Sequence, residues 1–319
     1  MANQPYVGEL GAVGLAKESV LGTFVNPTRF IPVHLPCNIG SPDIDLLLSK
    51  GIRGIPDMYY KAQQGASRLK SGKMKLEVEP DNIGEILQGT FGSDVLTGAG
   101  PTYTHTFTRQ AVAQLPTYSL WVSNGGLTYP EFAGCMVNSL EFDIAANAFV
   151  IADVDWIGSK FVSGGVTHAL SYSTLNQFVF NQATLTVGGS SVQIYKNIKI
   201  KFDNKVKVDP VIGGAITSNV IYTEGFEVSM NASFVAENTT EWTNFLNGTA
   251  QTFVVALSGT FGGNTCSLTF TADNVFYKAA PLPLANGLIE IAFQMQAIYS
   301  TSDAFTAKVA LVNDVSSQY

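Results

Sequence analysis

The chain has 319 residues, 46% of them hydrophobic and only 13% charged, with a formal net charge of −7 and a pI near 5.0. That hydrophobic content fills a full core and excludes a disordered chain. The charged fraction, against a typical ~25%, leaves a mildly apolar surface suited to permanent partners. An acidic chain gains nothing from counterion release on DNA, which excludes tight nucleic-acid binding but not a surface that DNA passes without sticking.

In chain order, MANQPYVGELGAVG has no basic region followed by an apolar run, so no signal peptide is expected. Residues 1–29, Gly-rich and without periodicity, read as an arm that orders only against another subunit. GIRGIPDMYYKAQQGASRLK (51–70) is too long and too mixed for a tight turn. It reads as the tip of a long hairpin, ordered by a partner.

In SGKMKLEVEPDNIGEILQGTFG (71–92), Met74, Leu76 and Val78 alternate with Lys73, Lys75, Glu77 and Glu79. The alternation predicts a strand over 71–79 with its charges on one face. A helix over 81–88 follows, capped by Asp81 or Asn82, with Ile83, Ile86 and Leu87 at helical spacing and Gly89 just past its end. TYTHTFT (102–108) predicts a strand with His105 on its polar face, and TYSLWVS (117–123) predicts another. SLEFDIAANAFVIADVDWIGS (139–159) predicts two strands about a turn near Ala146-Asn147.

NIKIKFDNKVKVD (197–209) sets Ile198, Ile200 and Phe202 against Lys199, Lys201 and Asp203. VDPVIGGAITSNV (208–220) is a second hairpin tip, and GFEVSMNASFVAE (225–237) sets Phe226, Val228 and Met230 against Glu227, Ser229 and Asn231. A second helix is predicted over 238–247, with Trp242, Phe245 and Leu246 on one face and Gly248 as its stop. TFVVALS (252–258), TCSLTFTADNVFY (265–277) and GLIEIAFQMQAIYS (287–300) complete the strands. Trp121, Trp156 and Trp242 all fall in apolar rhythm and read as core.

The order strand, helix, strand, Gly-Gly turn and strand pair occurs twice, with turns at Gly125-Gly126 and Gly262-Gly263. It predicts an internal duplication over about 30–160 and 175–302. The expected units are an arm (1–29), a first β domain (30–165) and a second β domain (166–319). No stretch is long and apolar enough to cross a membrane, so no membrane insertion by this chain is expected.

No chemistry announces itself. Cys37, Cys135 and Cys266 are far apart, which gives no disulfide framework and makes a reducing compartment the default. His105 and His168 are isolated, and His34 has only Cys37 nearby, three residues on; two ligands do not make a site, so no metal site or cofactor is expected. GxSxG, Walker-type, GxGxxG and HExxH motifs do not occur. The pairs Asp43/Asp45, Glu77/Glu79 and Asp153/Asp155 share strand faces and read as solvated, although a glycosidase pair forms in space and leaves no motif. An enzyme is not expected. A strand-rich chain with long hairpins has edges to protect, and closure through assembly into rings and tubes protects them.

GLAKESVLGTFVNPTRFIPV (14–33) resembles the opening of tail tube proteins (major tail proteins) of long-tailed bacteriophages, through Gly14, Glu18, Ser19, Gly22, Thr23, Pro27, Thr28, Phe30, Pro32 and Val33. Residues 71–92 look like that family's strand leading into its helix; GPTYTHTFT (100–108) and FAGCMVNSLEFDI (132–144) resemble its following elements. The resemblance covers about 14–160, and the second half matches only by strand order.

It implies a mainly β fold, a tail-tube-type β-sandwich flanked by a short helix. Duplicated in this chain, its long hairpins would form an inner β-barrel on assembly. The implied function is a virion structural protein that polymerises into stacked rings, a conduit for DNA delivery. Three chains per ring are favoured and six are possible. The implied partners are the tape measure, terminator and tip proteins, with DNA passing without specific binding. The implied location is the virion tail, after synthesis in the host cytoplasm.

In that reading Asp43, Asp45, Glu77, Glu79, Asp203 and Glu227 face the lumen, and Lys199, Lys201, Lys205 and Lys207 pair with carboxylates of the next ring. Ile83, Ile86, Leu87, Trp242, Phe245 and Leu246 wedge between subunits. Arg53, Asp57, Tyr59, Tyr60 and Lys61 make inter-ring contacts. The alternatives are a carbohydrate-binding or adhesive β-protein of a tail tip, a β-rich hydrolase, and the inner tube of a contractile device.

Overall fold

The structure is a computed structural model and describes residues 6–50, 54, 56, 59, 61–162, 165–192, 195–211, 219–235, 239–281 and 289–319. Four strands, β1 (Ala12–Lys17), β2 (Arg29–Ile31), β3 (Asp43–Ser49) and β4 (Lys61–Glu77), lead to helix α1 (Ile83–Phe91). Then come β5 (Val95–Thr97), β6 (Tyr103–Thr108), β7 (Tyr118–Ser123), β8 (Glu131–Ala145) and β9 (Ile151–Val162). The second half has β10 (Ala183–Val187), β11 (Ser190–Val192), β12 (Tyr195–Asp203), β13 (Val206–Pro210), β14 (Asn219–Thr223) and β15 (Glu227–Val235) before helix α2 (Thr240–Asn247). It ends with β16 (Gln251–Phe261), β17 (Asn264–Ala279), β18 (Glu290–Ala297) and β19 (Lys308–Asn313).

The chain is mainly β, as its alternating segments require. Among the described residues, seventeen strands join one hydrogen-bonded antiparallel network, and β13–β14 forms a separate ribbon. In the first half β1 pairs with β2 and β7, β7 with β8, β8 with β9, β9 with β4, and β4 with β3. In the second half β10 pairs with β11 and β16, β16 with β17, β17 with β18, β18 with β15, and β15 with β12.

Strand β8 joins the halves. One edge pairs with β9 along most of its length; the other pairs first with β7 and then, from Ser139 to Ala145, with β12. The switch falls at a bulge between Val137 and Ser139, where the added twist lets one strand serve two neighbours. One continuous core cluster contains Trp156, Phe91 and Phe142 of the first half with Phe202, Phe270 and Phe293 of the second. The connecting segment is stitched into the sheet: Phe178 is buried, donates its N–H to the Val78 carbonyl and accepts from the Val150 N–H.

Several expectations change. The N-terminal region does not wait for a neighbour along its whole length: β1 pairs with β7 over Ala12–Lys17, and Val13, Leu15 and Ala16 are buried. The quoted Glu18 explains this anchoring. Its carboxylate accepts from the Gly22 and Gly134 N–H groups and from the Thr117 and Ser119 hydroxyls, all within 2.8–2.9 Å. Helix α1 runs through Gly89 and stops at Gly92, whose φ of 87° is left-handed and whose N–H caps the Gln88 carbonyl. Phe91 carries the helix that far because its side chain belongs to the core. His105 is not on a polar face. It is fully buried, with Nδ1 3.0 Å from Asp94 and Nε2 2.9 Å from the Val315 carbonyl oxygen. Helix α2 begins at Thr240, later than the expected 238, and stops as expected at Gly248, which has a φ of 61°. None of the three cysteines is in a disulfide, and no described helix is long and apolar enough to cross a membrane.

Candidate functional site

Six antiparallel strands, in the order β4–β9–β8–β12–β15–β18, form an uninterrupted sheet across both halves. Period-two alternation gives this sheet two unlike faces. Met74, Leu76, Val154, Leu140, Phe142, Ile198, Ile200, Val228, Met230, Phe293 and Met295 are buried on one side. The opposite face is polar.

Its side chains line up in rows set by the register. One row runs Lys75, Asp153, Glu141, Lys201, Ser229, Gln296. The next runs Glu77, Ile151, Asp143, Lys199, Asn231, Gln294. A third runs Lys73, Asp155, Ser139, Asp203, Glu227. Carboxylates outnumber lysines on this face. Charge is concentrated on β4, β9, β8 and β12, and gives way to amides and hydroxyls on β15 and β18.

The lysines meet carboxylates within the chain rather than waiting for another ring. Lys75 lies 3.5 Å from Asp153, Lys199 lies 3.0 Å from Asp143 and 3.8 Å from Glu141, and Lys201 lies 3.9 Å from Asp203. Lys205 lies 2.7 Å from Glu227, and Lys207 lies 3.9 Å from Glu224. The hydrogen bond to Asp143 holds the Lys199 ammonium above the usual lysine range. The Lys205 ammonium in turn holds the Glu227 carboxyl below the usual carboxylate range. Exposed pairs of this kind are screened by solvent, so they tune register and surface potential more than stability.

Of the six carboxylates singled out from sequence, Asp203 and Glu227 sit opposite each other on this face, and Glu77 stands at its edge with His34 at 3.1 Å. Asp43 and Asp45 lie where the β3–β4 ribbon leaves the body; Asp43 accepts from the Lys70 N–H and Asp45 pairs with Lys70 at 3.1 Å. Glu79 is elsewhere. The strand ends at Glu77, and Glu79 turns into the protein, accepting from Asn82 at 2.5 Å and Gln177 at 3.2 Å. Burial pushes its carboxyl above the usual range. The sequence reading missed Glu141 and Asp143, and it noted Asp153 and Asp155 only as a solvated pair. The alternation in SLEFDIAANAFVIADVDWIG was the available signal.

The two helices differ. Ile83, Ile86 and Leu87 are fully buried in the chain's own core, where α1 packs on β8 and β6, so these side chains present nothing to a neighbour. On α2, Trp242 and Phe245 are half-buried and meet with their rings tilted, centroids 5.3 Å apart, while Leu246 is 64% exposed. At the first hairpin tip, Tyr59 is exposed with the Lys50 ammonium 5.9 Å from its ring centroid, and Lys61 opens β4 opposite Ser49. Arg53, Asp57 and Tyr60 lie outside the described residues.

A two-faced sheet with one dry side and one ion-paired, net acidic side is a wall rather than a pocket for chemistry. A search of curated proteins finds no match to this chain. The family profile described as phage tail tube protein matches residues 8–297, nearly the whole chain. The chain therefore belongs to the phage tail tube protein family, and the protein is a non-enzymatic structural component of the virion tail that self-assembles into its tube.

Proposed function

We propose that the sheet β4–β9–β8–β12–β15–β18 is one chain's share of the tube's inner wall, with its polar face toward the lumen. The observation that carries this reading is the unbroken register of polar side chains across the two halves. A net acidic lumen repels DNA phosphates, so the duplex slides without adhering. The ion pairs keep that repulsion moderate. Tape measure, terminator and tip proteins then meet the tube at its core and ends.

We further propose that the halves are duplicated tube units and that three chains close each ring as a pseudo-hexamer with a continuous inner barrel. The recurrence of the pairing scheme supports this. β1, β2, β4, β7, β8 and β9 pair with one another as β10, β11, β15, β16, β17 and β18 do, although the paired lengths differ. The short helix falls at the same place in both.

Electron microscopy of the purified protein with averaged end-on views tests both statements. Hollow rings with three chains each are expected. Six chains per ring would keep the tube and remove the pseudo-hexamer, and a protein that forms no ring or tube would remove the lumen.

A further inference from the structure

The β13–β14 ribbon has a bed. Val206 and Ile221 are buried against Leu115 and Met136 of the first half, with Ile157 and Val208 packed beside them. Arg68 of β4 donates to the Val208 carbonyl, and the Thr223 N–H donates to the Ala113 carbonyl at 2.8 Å. The root of this ribbon also closes over the end of α1: Asn204 donates to the Thr90 carbonyl, and Phe91 meets Phe202 at 5.0 Å and Phe226 at 5.8 Å.

The β3–β4 ribbon occupies the matching place in the first half, and among the described residues it has no such apolar bed. Ile44, Leu46, Leu47 and Leu48 are all exposed, Leu46 and Leu47 by 60% and 59%. An isolated two-stranded ribbon is marginal in water, and a run of exposed aliphatics on it calls for a partner.

Beside the corresponding place, the second half carries uncovered apolar side chains. Register fixes the correspondence: Glu77 pairs with Ile151 at the end of β4 as Val235 pairs with Glu290 at the end of β15. Counting on from these pairs, Ile157 corresponds to Gln296, Ser159 to Ile298 and Lys160 to Tyr299, so the bed's place in the second half is flanked by Ile298 and Tyr299. Both are exposed, Tyr299 by 54%. Counting back from the helix stops Gly92 and Gly248, Thr90 corresponds to Leu246, the most exposed apolar side chain of α2.

We infer that the β3–β4 ribbon of one copy beds on Ile298, Tyr299 and Leu246 of a second copy in the same ring, repeating between chains the contact that β13–β14 makes within one. This rests on the reading of the halves as equivalent units of a ring. The contact is head-to-tail, so it propagates and closes, as ring formation requires. It also gives the exposed ribbon and the loosely held second helix one common purpose.

Two variants test it, each altering only exposed side chains: Leu46→Asp with Leu47→Asp on the ribbon, and Ile298→Asp with Tyr299→Asp on the bed. Sedimentation and electron microscopy follow assembly, and circular dichroism with thermal unfolding confirms that each variant folds as wild type does. Under conditions where wild type forms rings, each variant alone is expected to stay monomeric. Their equimolar mixture is expected to give a dimer that grows no further, because each supplies the surface the other lacks.

A ribbon variant that still closes rings overturns the inference and leaves the tube reading intact. So do single rings that no longer stack, which assign the ribbon to the next ring, and so does a mixture that stays monomeric. Wild type that never assembles overturns the tube reading with it.

Discussion

Phe91 of α1 packs edge-on against Phe202 of β12, with ring centroids 5.0 Å apart, and so ties the first helix to a strand of the other half. Both rings are buried in a core that both halves share. Removing a buried phenylalanine costs about 3–5 kcal/mol through lost burial and the cavity left behind. Phe202→Ala is therefore expected to lower stability by about that amount and to leave one unfolding transition. Denaturant unfolding followed by both tryptophan fluorescence and far-UV circular dichroism checks this. Two separate transitions in wild type would show that the halves unfold independently.

Glu18 collects four donors on one carboxylate from three parts of the chain. Hydrogen bonds to a charged group contribute roughly 1.5–3 kcal/mol each when the partners are not rehydrated. Glu18→Gln keeps the shape but turns an amide toward some of those donors. A loss of about 2–3 kcal/mol is expected, with faster proteolysis at residues 18–25. Unchanged stability would mean that water replaces the carboxylate there at little cost.

Glu79 gives a pH signature of the less common sign. Its carboxyl is raised above the ordinary glutamate value, mainly by burial, so the folded protein binds its proton more tightly than the unfolded chain does. Where the native state holds more protons, stability falls as pH rises. The unfolding free energy of wild type minus that of Glu79→Gln is expected to be largest below pH 4.5 and to decrease as pH climbs through the raised value. Denaturation at a series of pH values from acid to neutral reads this directly. A difference that grows with pH would contradict the buried placement of Glu79.

Replacing Glu141, Asp143, Asp153 and Asp155 by their amides leaves Lys73, Lys75 and Lys199 without their carboxylate neighbours, and Lys201 with Asp203 alone, so the polar face turns from net acidic to net basic. If that face lines the lumen, assembled tubes of this variant should retain short duplex DNA at low ionic strength and release it as salt is raised. Wild-type tubes should not. Co-sedimentation of labelled DNA with assembled tubes makes the comparison. Equal, negligible retention by both would move the face away from the DNA path.

Local patterns carried much of the fold. Alternation marked β12 and β15 because each has one buried and one wet face, and glycines marked the end of α2. Where two glycines competed, at 89 and 92, the choice depended on Phe91 having a place in the core, which is a tertiary fact. The alternation that rightly set Lys73, Lys75 and Glu77 on one side ran on to Glu79, past the point where Pro80 ends the strand. Glu141 and Asp143 were missed although their alternation was visible, because what joins them to the polar face is the β8–β12 register, which links positions about sixty residues apart. Strand β1 was hidden because it is buried on both faces and shows no alternation, its anchor being a glutamate whose partners are as distant as Gly134.

The segment that leads from β9 to β10 and packs Phe178 into the sheet has a consequence for how a tube begins. In the proposed ring it makes every second joint between tube units a covalent one. Bringing a free body into an assembly costs an estimated 4–15 kcal/mol in translational and rotational freedom. A ring of three tethered pairs incurs that cost at fewer encounters than a ring of six single units. Nucleation, the slowest stage of any closed polymer, then needs fewer simultaneous meetings at a given protein concentration.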